Sequence, residues 1–151
     1  MTNFANSQKT VAPQNTYSAR TANHLAQLKA YHDTLEAQYQ ALVISAEEVA
    51  YEDFDVKVSD ATKYEMFVSC CYALDKLSYV VEHWESAQKE DEYKDIRIWN
   101  LMACIAHAWD VATTYASDEA SVIRHAIKKI IRIYNLPFDT DKDMNKYIAR
   151  I

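Results

Sequence analysis

The chain has 151 residues, half of them hydrophobic, which is enough for one folded domain with a single core. Its formal net charge of −6 disfavours a protein that coats nucleic acids. The sequence contains no glycine. This excludes the phosphate-binding P-loop and the dinucleotide-binding fingerprint, and it indicates helices joined by short polar turns.

The first 17 residues are polar and are interrupted by Pro13, which predicts a flexible arm over residues 1–17 and a single helical-bundle domain over residues 18–151. The arm lacks the apolar run of a secretory signal. The three cysteines lie inside apolar helical patterns and are an odd number, as expected of reduced core residues. We therefore expect a cytoplasmic protein.

Heptad spacing predicts a long first helix from about Ser18 to about Ala50. One of its two stripes contains Leu28, Leu35, Leu42 and Val49, and the other contains Leu25, His32, Tyr39 and Ala46. The segment from Tyr51 to Asp60 breaks this pattern and is predicted to be a loop. A second helix is expected to begin at Ser59 or Asp60, either of which is a good N-cap, and to run to about Gln88.

The stretch from Ile96 to Tyr115 is apolar on nearly every side of a helix, which predicts that this third helix lies at the centre of the fold. One thin polar line remains on it, formed by Asn100, His107, Asp110 and Thr114. The polar side chains within this stretch argue against a membrane span. A fourth helix is expected from about Glu119 to Asn135, followed by a short C-terminal helix after Thr140.

Short connections place neighbouring helices antiparallel, so the predicted fold is an all-α, up-down bundle of four main helices plus a short C-terminal helix. The first helical hairpin is longer than the second, so part of the first helix should overhang. If Leu25, Leu28 and Leu35 lie on the overhang, either the C-terminal helix or a second copy of the chain must cover them. This is the basis for the hypothesis of a homodimer.

An acidic cluster with aromatic residues lies where the first helix is expected to end. Acids are unfavourable at a helix C-terminus, so the cluster can indicate a use, such as docking onto a basic partner surface or mimicking nucleic acid. Ordinary solubilising charge is the simpler interpretation. Several tyrosines also fall off the core stripes, including Tyr51, Tyr64, Tyr72 and Tyr93. The predicted partner-binding residues are Glu47, Glu48, Tyr51, Glu52, Asp53, Phe54 and Asp55.

The fourth helix carries a basic face opposite its apolar one. Its cations recur at intervals of four and could follow the phosphates of a nucleic acid. A solvated amphipathic face is the simpler interpretation, and some of its cations could pair with acids of the preceding 90–95 loop. The candidate nucleic-acid-binding residues are Arg124, Lys128, Lys129 and Arg132, with His125 beside them.

Metal binding is a further alternative, because helical bundles often hold metals between facing helices. Di-iron bundles use Glu-x-x-His pairs, and the sequence contains none. His32 with Glu36, and His107 with Asp110, are one turn apart and are the remaining candidate ligands. A hydrogen-bonded or solvent-facing role for these side chains is the simpler expectation.

The sequence therefore favours a protein without catalytic residues or cofactors that binds another protein, as an inhibitor, adaptor or assembly subunit. The expected contact is the acidic, tyrosine-bearing surface, and the expected partner has a basic surface. A helical subunit of a nucleic-acid complex is the first alternative, and a helical-bundle metalloenzyme is the second.

Overall fold

The computed structural model describes residues 17–48 and 54–148, with side chains described for residues 17–42 and 63–148. The described residues form helices and contain no strand. This confirms the predicted all-α bundle of four main helices and a short C-terminal helix. The helices are α1 (Ala19–Glu48), α2 (Phe54–Ala87), α3 (Lys94–Thr114), α4 (Asp118–Tyr134) and α5 (Met144–Ile148).

Consecutive main helices are antiparallel. The start of α1 meets the end of α2 where the Ser18 backbone N–H donates to Glu85 Oε1 at 3.0 Å. The start of α1 also meets the end of α4, where Thr21 Oγ1 and Tyr134 Oη lie 3.2 Å apart. The second hairpin is closed by the Arg124 guanidinium of α4, which donates to the carbonyl oxygen of Ala112 at the end of α3 at 2.6 Å.

The central helix of the bundle is α2, which corrects the expectation that the third helix would be central. Only α2 packs against all three other main helices within the described residues. The third helix, α3, packs against α2, α4 and α5. Its N-terminal end is less enclosed than its composition suggests, since Ile96 is 60% exposed and Trp99 is half-buried against the core.

Helix α2 begins at Phe54, so the prediction that residues 51–60 form a loop is wrong for residues 54–60. The short alternation of Phe54, Val56 and Val58 resembles a strand. However, Phe54 and Val58 also have the i,i+4 spacing of one helical face, and so short a stretch does not distinguish the two periods. The earlier start lengthens α2 to 34 residues.

The first hairpin overhangs the second, but not at the predicted residues. Leu28 and Leu35 are buried inside the chain's own core, with 7% and 1% exposure. The overhang is at the opposite end of the hairpin. The Tyr115 hydroxyl, at the turn between α3 and α4, donates to Glu65 Oε1, and the roughly ten residues of α2 before Glu65 continue for about 15 Å beyond that turn.

The short helix α5 does not cover this overhang. It packs against the N-terminal part of α3, where the rings of Tyr147 and Trp99 have their centroids 4.5 Å apart. The rings of Phe138 and Tyr147 are also stacked, with their centroids 5.8 Å apart. The C-terminal segment therefore closes the end of the bundle at which α3 begins. No helix within the described residues is long and apolar enough to cross a membrane.

Local sequence signals fix both ends of α4. The Ser117 side chain accepts a hydrogen bond from the Ala120 backbone N–H, as an N-cap does. At the other end, Asn135 has a φ of 53°, and the Leu136 N–H donates to the Ile131 carbonyl oxygen at 3.0 Å. This is a Schellman-type ending with asparagine where glycine usually stands.

Candidate functional site

Large apolar side chains are exposed along the outer face of α2. Val68, Tyr72 and Tyr79 are 51%, 45% and 51% exposed. Together with Asp75 they recur at intervals of four, three and four residues, so they share one face of the helix. We refer to Val68, Tyr72, Asp75 and Tyr79 as the α2 ridge.

The α2 ridge has a shallow groove on each side. The groove towards α1 is lined by His32, Glu36 and Tyr39 opposite Val68 and Tyr72. The groove towards α3 is lined by Lys76, Asn100 and Cys104 together with both ridge tyrosines. The ridge is therefore an accessible aromatic strip bordered by polar side chains.

The groove on the α1 side is acidic. The Asp75 side chain is 71% exposed, and its Oδ1 lies 3.5 Å from His32 Nε2. The other ring nitrogen, Nδ1, lies 3.3 Å from Asp33 Oδ1. Hydrogen bonds from Lys29 and His32 lower the pKa of Asp33, so this carboxylate is charged at neutral pH. Residues from two helices thus surround one imidazole with carboxylates.

The two predicted metal-ligand pairs do not form one site. His32, Asp33 and Glu36 each have one candidate ligand atom, and these three atoms lie within 4.8 Å of one another. His107 and Asp110 are not part of this group, which is the only one of its kind in the described residues. The reason is topological, since α1 and α3 are diagonal in the bundle and no Cα atoms of these two helices lie within 8 Å in the described part.

The polar line on α3 faces outward. Asn100, Asp110 and Thr114 are exposed, and His107 is half-buried. The Thr114 hydroxyl donates to the Asp110 carbonyl oxygen at 2.7 Å within the same helix. Polar side chains that face solvent need no polar partner inside the bundle. The surface position of this line therefore explains why these residues of α3 are polar.

The predicted acidic corner lies at the overhanging end of the first hairpin. Glu47 and Glu48 end α1, and Phe54 and Asp55 begin α2. Tyr51, Glu52 and Asp53 lie outside the described residues. Partner binding by this cluster stays a prediction. The corner and the α2 ridge belong to the same helical hairpin.

The other predicted surface tyrosines have different positions. Tyr93 is 60% exposed at the start of α3. Tyr64 is half-buried, and its hydroxyl donates to the Leu42 carbonyl oxygen at 2.6 Å. The ring of Tyr64 also packs edge-on against that of Tyr39, so Tyr64 joins α1 to α2 instead of facing a partner.

The basic face of α4 is divided between structural and exposed side chains. Arg124 is half-buried and donates to the carbonyl oxygens of Ala112 and Tyr115, at 2.6 and 3.0 Å. It satisfies the C-terminal end of α3 and is not free for phosphate. Lys128 is exposed, with its Nζ 5.7 Å from the centre of the Trp109 ring.

The pairing that the topology allows between this face and the 90–95 loop does not occur among the described residues. Arg97 binds Asp91 at 3.0 Å, and Lys94 pairs with Glu90. Two of the loop acids, Glu90 and Asp91, are thus paired with cations close to them in sequence. Lys128, Lys129 and Arg132 form no ion pair within 4.0 Å with a described carboxylate.

The cysteine thiols lie in surroundings that disfavour thiolate. Burial raises the pKa of Cys70 to about 11. Burial, followed by the carboxylate of Asp75, raises the pKa of Cys71, and burial raises that of Cys104. All three thiols are therefore protonated at neutral pH, which opposes a nucleophilic role.

A second concave feature lies between α1 and α4. No Cα atoms of these two helices lie within 8 Å within the described residues, and the opening between them encloses about 190 Å³. Its floor is formed by Leu28, Leu74, Ile123 and Ile130. Its rim includes His24, Gln27, Tyr31 and Lys129. We refer to this feature, with its floor and rim, as the α1–α4 cleft.

Polar bridges close both ends of the α1–α4 cleft. At one end, Tyr134 Oη lies 2.7 Å from His24 Nδ1. At the other, the Tyr31 hydroxyl donates to the Glu119 carbonyl oxygen at 3.4 Å. Burial, together with nearby carboxylates, raises the pKa of Tyr31 to about 12, so its hydroxyl stays protonated.

Sequence reasoning missed Tyr79 and the α1–α4 cleft. Tyr79 is seven residues from Tyr72, so a search for a second stripe on the outer face of α2 would have found it. The cleft depends on the distance between α1 and α4, and no residue pattern in the sequence predicts that distance.

No family model, no curated protein and no solved structure shows significant similarity to this chain.

Proposed function

We propose that this protein binds another protein through the α2 ridge and its acidic border, without catalysis of its own. The observation that supports the proposal is the exposure of Val68, Tyr72 and Tyr79 on one helical face. A surface helix ordinarily directs its polar face to solvent. Helix α2 instead carries an apolar outer stripe in addition to the stripe that forms the core.

The spacing of the α2 ridge suits contact with another helix. Residues at intervals of four and three form the seam along which two helices pack in a coiled coil. Exposed tyrosines also suit an interface, because they bury a large area and lose little side-chain entropy on binding. The expected mode of binding is a partner helix lying along α2, with its side chains in the two grooves.

The charge around the α2 ridge favours a basic partner. Asp75 lies within the ridge, and Asp33 and Glu36 are exposed on the α1 side. Opposite charges across an interface accelerate association and exclude partners of the wrong charge. The predicted acidic corner on the same hairpin would extend this surface towards the overhanging end.

The test compares capture of partners by three forms of the full chain. The ridge variant carries Tyr72→Ala and Tyr79→Ala. The control variant carries Tyr93→Ala and Ile96→Ala, which replace side chains that are at least as exposed but lie at the start of α3. We expect a protein with a basic surface to be captured by wild type and control, and at least tenfold less by the ridge variant. Circular dichroism verifies that all three are folded.

A charge reversal then tests the electrostatic part of the proposal. Asp75→Lys should slow association with the captured protein and weaken its salt dependence. The proposal is contradicted if every captured protein is retained equally by the ridge variant and the control.

A further inference from the structure

The α1–α4 cleft is built differently from the α2 ridge. The walls of the cleft are apolar, with Leu74 and Ile123 almost fully buried at its floor and Val122 48% exposed at its mouth. A cavity of about 150 Å³ lined by aliphatic side chains is large enough to take up benzene. A volume of about 190 Å³ therefore accommodates a medium-length alkyl chain or a single ring.

The mouth of the cleft is cationic, although the protein as a whole is acidic. Lys129 lies on the rim, and no described carboxylate lies within 4.0 Å of its Nζ. Arg20 lies near the same end of α1, with its guanidinium carbon 4.7 Å from the centre of the Tyr134 ring. Burial, then the charges of Lys129 and Arg20, lower the pKa of His24 on the rim.

Neutral polar groups that can bind a carboxylate accompany these cations. Nδ1 of His24 lies 2.7 Å from Tyr134 Oη, and Nε2 has no hydrogen-bond partner among the described residues. In the tautomer in which Nδ1 accepts from the Tyr134 hydroxyl, Nε2 carries the proton and is a free donor. Gln27 is exposed on the rim, and no described side chain engages its amide. The rim thus combines an unpaired cation with nitrogen donors above an apolar floor.

We propose that the α1–α4 cleft binds a small monocarboxylate with an apolar body, such as a medium-chain alkanoate. The carboxylate would lie between Lys129 and the His24–Gln27 side, and the apolar body would rest on Leu28, Leu74 and Ile123. A ligand with an apolar body and a positively charged group is disfavoured, because its charge would lie beside Lys129 with no described carboxylate to balance it. This site is independent of the proposed protein interface.

The test uses octanoate as the probe and octanamide as its neutral analogue. Titrations followed through the methyl resonances of the protein should show saturable shifts at Leu28, Leu74, Ile123 and Ile130. For a ligand of ten non-hydrogen atoms we expect a dissociation constant on the order of 0.1–1 mM. Octanamide should bind about tenfold more weakly than octanoate, because it lacks the charge-assisted contact.

Variants separate the contributions of charge and shape. Lys129→Met should weaken octanoate binding about tenfold and leave octanamide unchanged. Arg132→Met is the matched control, because Arg132 is an exposed cation of α4 that does not line the cleft. Ala126→Leu should fill the cleft and abolish binding of both probes, with thermal melting as the check on folding.

The proposal is overturned by any of three results. These are an absence of saturable shifts at millimolar octanoate, shifts confined to residues outside the cleft, and equal binding of octanoate by wild type and Lys129→Met. If Ala126→Leu does not fold, the comparison of Lys129→Met with Arg132→Met remains decisive, since both residues are exposed.

Discussion

A few polar side chains join several helices of the bundle through their hydrogen bonds. Tyr134 is 7% exposed, and its hydroxyl meets Thr21 and His24 of α1, while its backbone carbonyl oxygen accepts from Trp84 Nε1 at 3.2 Å. One residue near the end of α4 therefore joins three helices. Arg124 has a comparable role, because it connects α4 to the carbonyl oxygens at the end of α3.

We expect His24 to make the stability of the fold sensitive to mild acid. Its pKa is below the ordinary value of 6.5 in the folded chain, so the unfolded chain takes up the proton first as the pH falls. The contribution of neutral His24 is complete above pH 6.5 and is lost as the pH falls towards the folded pKa. The wild-type free energy of unfolding should therefore decrease more between pH 7 and pH 5 than that of His24→Gln.

Urea unfolding of both proteins at the two pH values measures this difference. Titration of other groups contributes equally to the two proteins and cancels, and glutamine keeps a partner for the Tyr134 hydroxyl. Equal losses of stability in wild type and variant would show that His24 does not bear this pH dependence.

At the scale of the elements, a chain without glycine needs other residues to end its helices and turn into the connections. Asn135 is the only described residue with a positive φ, and it allows α4 to stop and Leu136 to turn into the core with 5% exposure. Asparagine tolerates the left-handed conformation better than most residues with a side chain. The chain uses it where other proteins usually place glycine.

Asn135→Ala should cost about 1 kcal/mol of stability, because alanine is strained in the left-handed region. Asn135→Gly should be as stable as wild type or slightly more stable. Asn100→Ala serves as the control, since it replaces an exposed asparagine inside α3 with a better helix former. Thermal or urea unfolding compares the three, and equal stability of the alanine and glycine variants at position 135 would contradict the interpretation.

The elements also show how much of the protein the sequence predicts. Helical periodicity and caps identified all four main helices, because spacing and end signals are local. The start of α2 was placed too late, because a short alternation such as that from Phe54 to Val58 fits both periods. Which helix is central was also missed, since the apolar content of the third helix is partly covered by α5 and partly exposed at Ile96.

For the candidate sites, the sequence predicted which single residues lie on the surface. It did not predict which residues lie next to one another in space. Tyr72 and Tyr93 were expected on the surface and are exposed. A shared metal site would require His32 and His107 to lie close together, which depends on which helices are adjacent. The diagonal placement of α1 and α3 separates the two residues. Arg124 had the pattern of a phosphate ligand and instead serves the end of α3.

For the whole molecule, the four main helices do not contribute equally to the core. Helix α1 buries Leu28 and Leu35 among the core hydrophobics, whereas α2 contributes a continuous series from Phe67 to Ala87. In addition, side chains of α1 such as Tyr31 bridge the cleft to α4, and no Cα atoms of the two helices lie within 8 Å in the described part. Among the described side chains, α1 thus contributes the fewest buried hydrophobic residues of the four main helices, and it lies at the edge of the bundle.

Native-state hydrogen exchange should therefore reveal an opening in which α1 separates before the rest unfolds. Amides of residues 19–42 should show lower opening free energies than those of residues 70–84 in α2. Residues 101–112 of α3 serve as a second reference within the core. Equal opening free energies in α1 and α2, both matching global unfolding, would contradict this prediction.

The central position of α2 has a consequence for the chain during its synthesis. Two of the three helices that cover α2 are made after it, and the Tyr134 contacts with Trp84 and Thr21 require the end of α4. While α3 and α4 are still being translated, the apolar series from Phe67 to Trp84 has only α1 as a partner. The newly made hairpin therefore presents core residues to the cellular environment, where molecular chaperones bind such surfaces.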